Sequence, residues 1–363
     1  MNTRLGIQLT PWRPSGELVA LGESLRDVVD VVWVQDQMLA RNVYVLLAAL
    51  ARAGCGVATG VTYPVGRNPI EMASAAATIS ELLPAGRRMT IGMGTGGAVV
   101  NSLFRKDQTV TAVREAIGLM RALWAGERVE LDAYPTLGRS LGYRPGAAAT
   151  LTYPVERPPE IVLAGVGPRI LAVAAECADG LIFASNLPSH SRAAFATGRF
   201  AELSGLGRVL ESRPAGAPPL RLIFGINVSV SADRARARSH ARRQSALILG
   251  NPALWPALEA VGLDVESAGE VKAAFDGGLG IDGAAARMSE SLADALIVSG
   301  TPEECVGPMV ELRELAQRHG FDEFYLGGPL GPDPSEATDL LRTRVIDRVW
   351  PERRGTVDPA PAR

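Results

Sequence analysis

One rhythm limits what this chain can become. Short apolar runs alternate with longer amphipathic ones, and the apolar runs centre near residues 7, 33, 58, 91, 162, 182, 225 and 324. These runs are rich in Val, Ile and Leu and are bounded by Gly, Pro or Asp, which predicts strands. Between the early ones, residues 16–27, 43–53, 69–83 and 110–126 carry helical spacing. Pro69 opens the third of these, where a missing N–H costs nothing. Strands joined through helices run parallel, because the crossover needs a dozen residues or more. Eight such βα units predict an α/β chain folded as a TIM (β/α)8 barrel. A doubly wound sheet is the alternative on pattern alone.

The rhythm is interrupted twice. Residues 128–158 hold Pro, Gly and Tyr with little helical period, and residues 250–290 extend a helical stretch with Gly-rich breaks at 277–283. Both read as insertions into a single barrel domain spanning 1–350, with a flexible tail at 351–363. The net charge is −2, which gives no electrostatic footprint for nucleic acid or an anionic membrane. No apolar run has the length needed to cross a bilayer. The N-terminus enters a strand pattern directly, without a signal peptide, so the expected location is the cytoplasm. Cys55, Cys177 and Cys305 are far apart and odd in number, the pattern of reduced structural thiols. With His190, His240 and His319 as the only histidines, a histidine metal cluster is not expected.

A barrel of this kind builds its active site from the loops that follow the strands. Three of those loops are unusual. The fourth strand ends in "GMGTGG", Gly92 to Gly97, where backbone can approach a flat or anionic ligand closely. A tight turn with no ligand explains that motif equally well. The fifth ends in "LAGVGPRIL", placing Ala164, Gly165, Val166 and Gly167 just before a helix with Pro168 near its first turn. Free N–H groups and the helix dipole favour an anion such as a phosphate there. The second ends in "VQDQMLARNVY". From spacing alone, Asp36 is expected to cap the helix that begins near Asn42.

Taken together, these loops resemble the luciferase-like flavin and deazaflavin oxidoreductases, in the branch that contains methylenetetrahydromethanopterin reductase. The resemblance rests on "DQMLARNVY", "TGVTYPVGRNP", "IGMGTGG", "LAGVGPRILAVAAECADGLIFAS" and "SGTPEECVGPMVELRELAQRHGFDEFYLGGPLGPD", in that order along nearly the whole chain. It implies a TIM barrel with insertions, a homodimer, and coenzyme F420 or FMN at the mouth of the barrel. The closing "GGPLGPD" and the "GVTYP" favour F420, a 5-deazaflavin. By the same resemblance, Asp36 is the acidic residue ending the second strand. Gly60 and Val61 are the pair joined by a non-prolyl cis peptide, a bulge behind the cofactor ring. Gly94, Thr95 and Gly96 match the glycine turn near the ring or its side chain, and Gly165, Val166 and Gly167 the phosphate loop.

The departures bear on chemistry. Many relatives have Asp-His where this chain has Asp36-Gln37, some have Glu where it has Gly97, and the reductase has a carboxylate where it has Gln8. Neutral amides do not exchange protons near pH 7. Tyr63, beside the bulge, is a candidate proton donor, with a packing aromatic at the barrel rim as the other reading. Gln8, Gln37, Arg41 and Tyr63 are expected to polarise or position a small substrate. Arg67 either meets an anionic tail or pairs with a neighbour such as Glu71. The expected reaction is hydride transfer between F420 and an electrophilic carbon of imine or enone type. The alternatives are an FMN-dependent monooxygenase of the same fold and a non-catalytic cofactor-binding barrel.

Overall fold

The computed structural model describes residues 3–96, 98–104 and 109–353. Gly97 and most of the expected tail, residues 354–363, lie outside the described residues. The chain is an α/β protein, a TIM (β/α)8 barrel. Its parallel strands are β1 (Arg4–Leu9), β2 (Val31–Val34), β3 (Val57–Thr62), β4 (Thr90–Met93), β7 (Glu160–Ala164), β8 (Gly180–Ala184), β9 (Arg221–Val230) and β11 (Glu323–Leu330). Each falls on one of the eight apolar runs. The short strands β5 (Val129–Glu130) and β6 (Ala148–Ala149) pair antiparallel inside the first interruption, and β10 (Val298–Gly300) follows the second.

Contacts divide the chain into two units. One comprises residues 7–182 and 208–221. In it β2, β3, β4, β7 and β8 pair in sequence, with Trp33 opposite Ala58, Ala58 opposite Thr90, and Ile91 opposite Ile161. All four residues of β2 are buried, as expected of a parallel strand covered on both faces. Helices α1 (Ser15–Leu25), α2 (Val43–Arg52), α3 (Pro69–Leu82), α4 (Ala98–Leu103), α5 (Thr109–Trp124), α6 (Pro135–Leu141) and α7 (Pro168–Cys177) belong to this unit. Asn68 caps α3 through the Ile70 N–H, and Pro69 is its first residue.

The described residues of the other unit are 3–6, 183–207 and 222–353. There β9 pairs in parallel with both β10 and β11. The helices between β9 and β10 bury their own apolar cluster, which includes Leu249, Leu258, Val271, Leu292 and Leu296. Helical spacing over 335–350 predicts one continuous closing helix, and the structure has a helix at Pro334–Leu340, a π turn at Leu341–Val345 and a short helix at Ile346–Val349. Helical periodicity alone does not register such a π turn. Among the described residues no helix is long and apolar enough to cross a membrane. Among them, too, no three His, Cys, Asp or Glu side chains are placed to hold a metal ion.

This second unit contains a histidine walled in by aromatic rings. His190 is 1% exposed, with Phe183 edge-on at 5.0 Å and Phe200 at 6.1 Å. Its Nδ1 accepts the Ala184 N–H at 3.4 Å, so Nε2 carries the proton, and Nε2 has no hydrogen-bond partner among the described residues. Burial lowers its pKa from 6.5 to about 3. A folded-state pKa below the unfolded one means the contribution is fully present above pH 6.5 and is lost as pH falls toward 3. Stability should therefore drop by a few kcal/mol (order of magnitude) across that window. His190→Leu should flatten the loss in denaturant midpoints measured from pH 7 to pH 4.5. An unchanged slope would remove His190 as its source.

Candidate active site

The ends of β1, β2 and β3 converge on the bulge in β3. Thr59 lies opposite Ile91, but Thr62 lies opposite Met93. β3 thus spends three steps where β4 spends two, and the extra residue is accommodated at Gly60–Val61. The peptide bond between those two residues is cis. Around it the chain is stripped of side chains. A Cβ on Gly60 would lie 3.3 Å from Trp33 Cβ, and one on Gly94 would lie 3.4 Å from a Val61 methyl. One on Gly92 would overlap the Thr59 carbonyl oxygen. The glycines of β4 make room for Val61 to fold against the sheet. The Gly94 N–H donates to the Thr62 carbonyl at 2.9 Å, which ties the two strand ends together. Gly96 has φ +102°, a conformation open to glycine and costly for other residues.

Three glutamines hold this bulge from one side. Gln8 Nε2 donates to the Gly60 carbonyl at 2.7 Å. Gln35 Nε2 donates to Gln8 Oε1 at 3.1 Å, and Gln37 Nε2 donates to Gln35 Oε1 at 3.2 Å. Gln8 and Gln37 were expected near the site. Nothing in the sequence marks Gln35, although it stands in the same short "VQDQ" segment, because alternation at a strand end says nothing about a side-chain ladder.

Asp36 takes a different place from the one spacing suggests. Asn42 caps α2, accepting the N–H groups of Tyr44 and Val45. It does so because it adjoins the helix, whereas Asp36 lies six residues earlier. The Asp36 side chain is 0% exposed and pairs with Arg67. Arg67 Nε reaches Oδ2 at 2.5 Å and Nη2 reaches Oδ1 at 2.6 Å, a two-pronged pair. Thr62 Oγ1 donates to Oδ2 at 2.6 Å. The protein partner of Arg67 is thus Asp36, one strand away, rather than its neighbour Glu71. The Asp36 hydrogen bond raises the Arg67 pKa, and the guanidinium lies 5.7 Å over the Tyr44 ring. Tyr44 is half-buried, but its hydroxyl is shut off from solvent, and that burial raises its pKa.

Tyr63 is 4% exposed. Its hydroxyl donates to the Asp36 carbonyl at 2.9 Å, and burial first, then the Asp36 charge, push its pKa up to about 12. The hydroxyl is thus turned into the β2 loop and is hard to ionise. Arg41 is exposed and donates to the Trp12 carbonyl at 2.6 Å, joining the loops after β1 and β2. Those loops carry exposed apolar side chains, Trp12 at 60% and Leu39 at 79%.

Ala164 ends β7, and Gly165, Val166 and Gly167 lead into α7 with Pro168 as its first residue. A Cβ on Gly165 would lie 2.5 Å from an Ile170 methyl, so the chain turns closely over its own helix start. Among the described residues no side chain caps that start. Its first-turn N–H groups are therefore open to an anion.

Comparison with known proteins bears on the chain as a whole. The family model described as luciferase-like monooxygenase matches residues 29–319. The 5,10-methylenetetrahydromethanopterin reductase of Archaeoglobus fulgidus is 28% identical over 333 residues, covering 88% of this chain and 91% of that protein. The solved structure of the coenzyme F420-dependent tetrahydromethanopterin reductase from Methanopyrus kandleri superposes with a TM-score of 0.70 at 22% identity, over 96% of this chain and all of that one. An F420-dependent secondary alcohol dehydrogenase solved with an F420–acetone adduct gives a TM-score of 0.62 at 18% identity, over 96% of this chain and 99% of that one.

Proposed function

This chain belongs to the luciferase-like monooxygenase family, and from that premise we propose that it is an F420-dependent oxidoreductase. It moves a hydride between the deazaflavin and an electrophilic carbon, of imine or enone type, on a small organic substrate. The observation that carries the reading is the end of β3: a bulge at Gly60–Val61 with glycines opposite it on β4 and a glutamine propping its carbonyl. That arrangement suits a flat ring laid against backbone. The F420-dependent reductase and alcohol dehydrogenase among the relatives favour the deazaflavin over FMN.

The residues present fit such a cofactor. Val61 and the glycines of β4 form a wall for one ring face. Gly94, Thr95 and Gly96 leave room beside it. The uncapped start of α7, with Ala164, Gly165, Val166 and Gly167, suits a phosphate. Bound there, the deazaflavin supplies a carbon-centred hydride donor and acceptor that does not activate oxygen.

The chain supplies position and exclusion of water. Gln8 holds the Gly60 carbonyl. Asp36, Arg67 and Thr62 lock the β2 and β3 loops together, and the Tyr63 hydroxyl adds to that lock. Tyr63 and Asp36 are therefore positioning residues, and the proton that accompanies the hydride comes from water or from the substrate. Gln37 and Arg41 face the substrate, and Trp12 and Leu39 give it an apolar rim. The same reading makes the enzyme a cytoplasmic homodimer whose partners are small molecules, with neither nucleic acid nor membrane involved.

Turnover separates the readings. Reduced F420 mixed with the protein and a panel of enones and cyclic imines should be oxidised without oxygen uptake. Oxygen consumption that requires reduced FMN and substrate would establish the monooxygenase instead. Tight F420 binding with no turnover across the panel would leave a cofactor-binding barrel.

A further inference from the structure

The hydrogen bonds among the three glutamines have a direction, and that direction is set from the inner end. A backbone carbonyl can only accept. The Gln8 atom 2.7 Å from the Gly60 oxygen is therefore its nitrogen. Gln8 then turns its oxygen to Gln35, so the Gln35 atom at 3.1 Å is nitrogen. Gln35 in turn offers oxygen to the Gln37 nitrogen at 3.2 Å. Side-chain amides are usually free to exchange their two ends, but here each is determined by the one before it. At the outer end, Gln37 is left with its Oε1 and one side-chain N–H, and its side chain makes no other hydrogen bond among the described residues. It is half-buried, and the loop that carries it follows β2.

We propose that Gln8, Gln35 and Gln37 form a directed relay that presents the Gln37 carboxamide, in one fixed orientation, to a cyclic amide edge on the ligand. A carboxamide offering an acceptor and a donor side by side complements a lactam, whose N–H and C=O are adjacent. This rests on the proposed function, in which two molecules could carry that edge: the pyrimidinedione ring of the deazaflavin, or a pterin-like substrate. Gln37 would read the edge. Gln35 touches neither molecule and acts as a positioning residue, by preventing Gln37 from rotating its amide. An amide free to rotate would offer donor or acceptor indifferently and lose its discrimination. The relay also explains how a site can recognise a polar ring with groups that keep one charge state across the whole physiological pH range.

The test compares each ring with its N-methylated form, in which a methyl group replaces the lactam donor; the bulk of that methyl acts whether or not Gln35 carries an amide, so the Gln35 variant separates bulk from hydrogen bonding. Binding of F420 to the wild-type protein is measured first, because its absence would overturn the proposed function and not the relay. Fluorescence titrations then follow 5-deazariboflavin against N3-methyl-5-deazariboflavin, and a tetrahydropterin against its N3-methyl derivative. The wild type should prefer the N–H form of one pair about tenfold, the worth of one net hydrogen bond. The pair that shows the preference identifies the source of the edge. Gln37→Leu and Gln35→Leu should each reduce that preference to within twofold, with Gln35→Met as the second variant should the leucine prevent folding. No preference in either wild-type pair, or a preference that survives loss of the Gln35 amide, would overturn the proposal.

Discussion

Replacing Asp36 by alanine should destabilise the protein by about 3–5 kcal/mol, the range found when one partner of a buried ion pair is removed. The carboxylate is shut off from solvent and accepts three hydrogen bonds, two from Arg67 and one from Thr62. Its loss strands the Arg67 guanidinium, whose side chain is 17% exposed, with the Tyr44 ring beside it and no counter-charge. A surface pair would be worth a small fraction of this. Arg67→Leu should be similarly costly. The double variant Asp36→Ala/Arg67→Leu should be clearly less destabilised than the sum of the two, because the uncompensated charge is gone. Urea midpoints of the four proteins measure the coupling. Additive losses would mean that the pair is not the element that joins the β2 and β3 loops. Cofactor affinity should fall more than tenfold in Asp36→Ala, since the segment carrying Gln35 and Gln37 loses its anchor.

Gly92→Ala should have the next largest effect, and it acts by addition of one methyl group. The new Cβ would overlap the Thr59 carbonyl oxygen and lie 3.1 Å from the Trp33 ring and 3.2 Å from a Val61 methyl. The oxygen cannot step aside cheaply. Thr59 is paired with Ile91 on one side and Val34 on the other, and its hydroxyl donates to the Gly92 carbonyl at 2.8 Å. Overpacking of a tight core costs about 1–3 kcal/mol, and here relief comes from displacing β3 where it forms the bulge. F420 affinity should fall by roughly a hundredfold, because a flat ring laid on backbone tolerates little displacement. Gly94→Ala is the control. Its Cβ would meet nothing closer than 3.4 Å, so stability should change by less than about 1 kcal/mol. Equal losses at both positions would show that the effect comes from flexibility and not from the clash.

The eight strands were legible because burial imposes a pattern on every strand, and because Gly and Pro punctuate the ends. The bulge was legible by resemblance at Gly60–Val61. What escaped was the pairing between loops. Asp36 and Arg67 are 31 residues apart, and Gln8 and Gln35 are 27 apart. No local spacing links them, since parallel strands bring together residues a whole βα unit apart. Spacing therefore assigns Asp36 to its nearest helix as a cap, while its partner lies on the next loop. Tyr63 shows the same limit. Its neighbourhood to the bulge was visible in the sequence. The direction of its hydroxyl, toward the Asp36 carbonyl, depends on how the β2 loop folds back.

The central claim is that the end of β3 and the start of α7 hold a deazaflavin. Absorbance-monitored titration of the purified protein with F420, and separately with FMN, addresses it without knowledge of the substrate. The account predicts a saturable change in the F420 spectrum at micromolar concentrations and at least tenfold weaker binding of FMN. Protein that is isolated yellow with tightly held FMN, and that leaves the F420 spectrum unchanged, would contradict it.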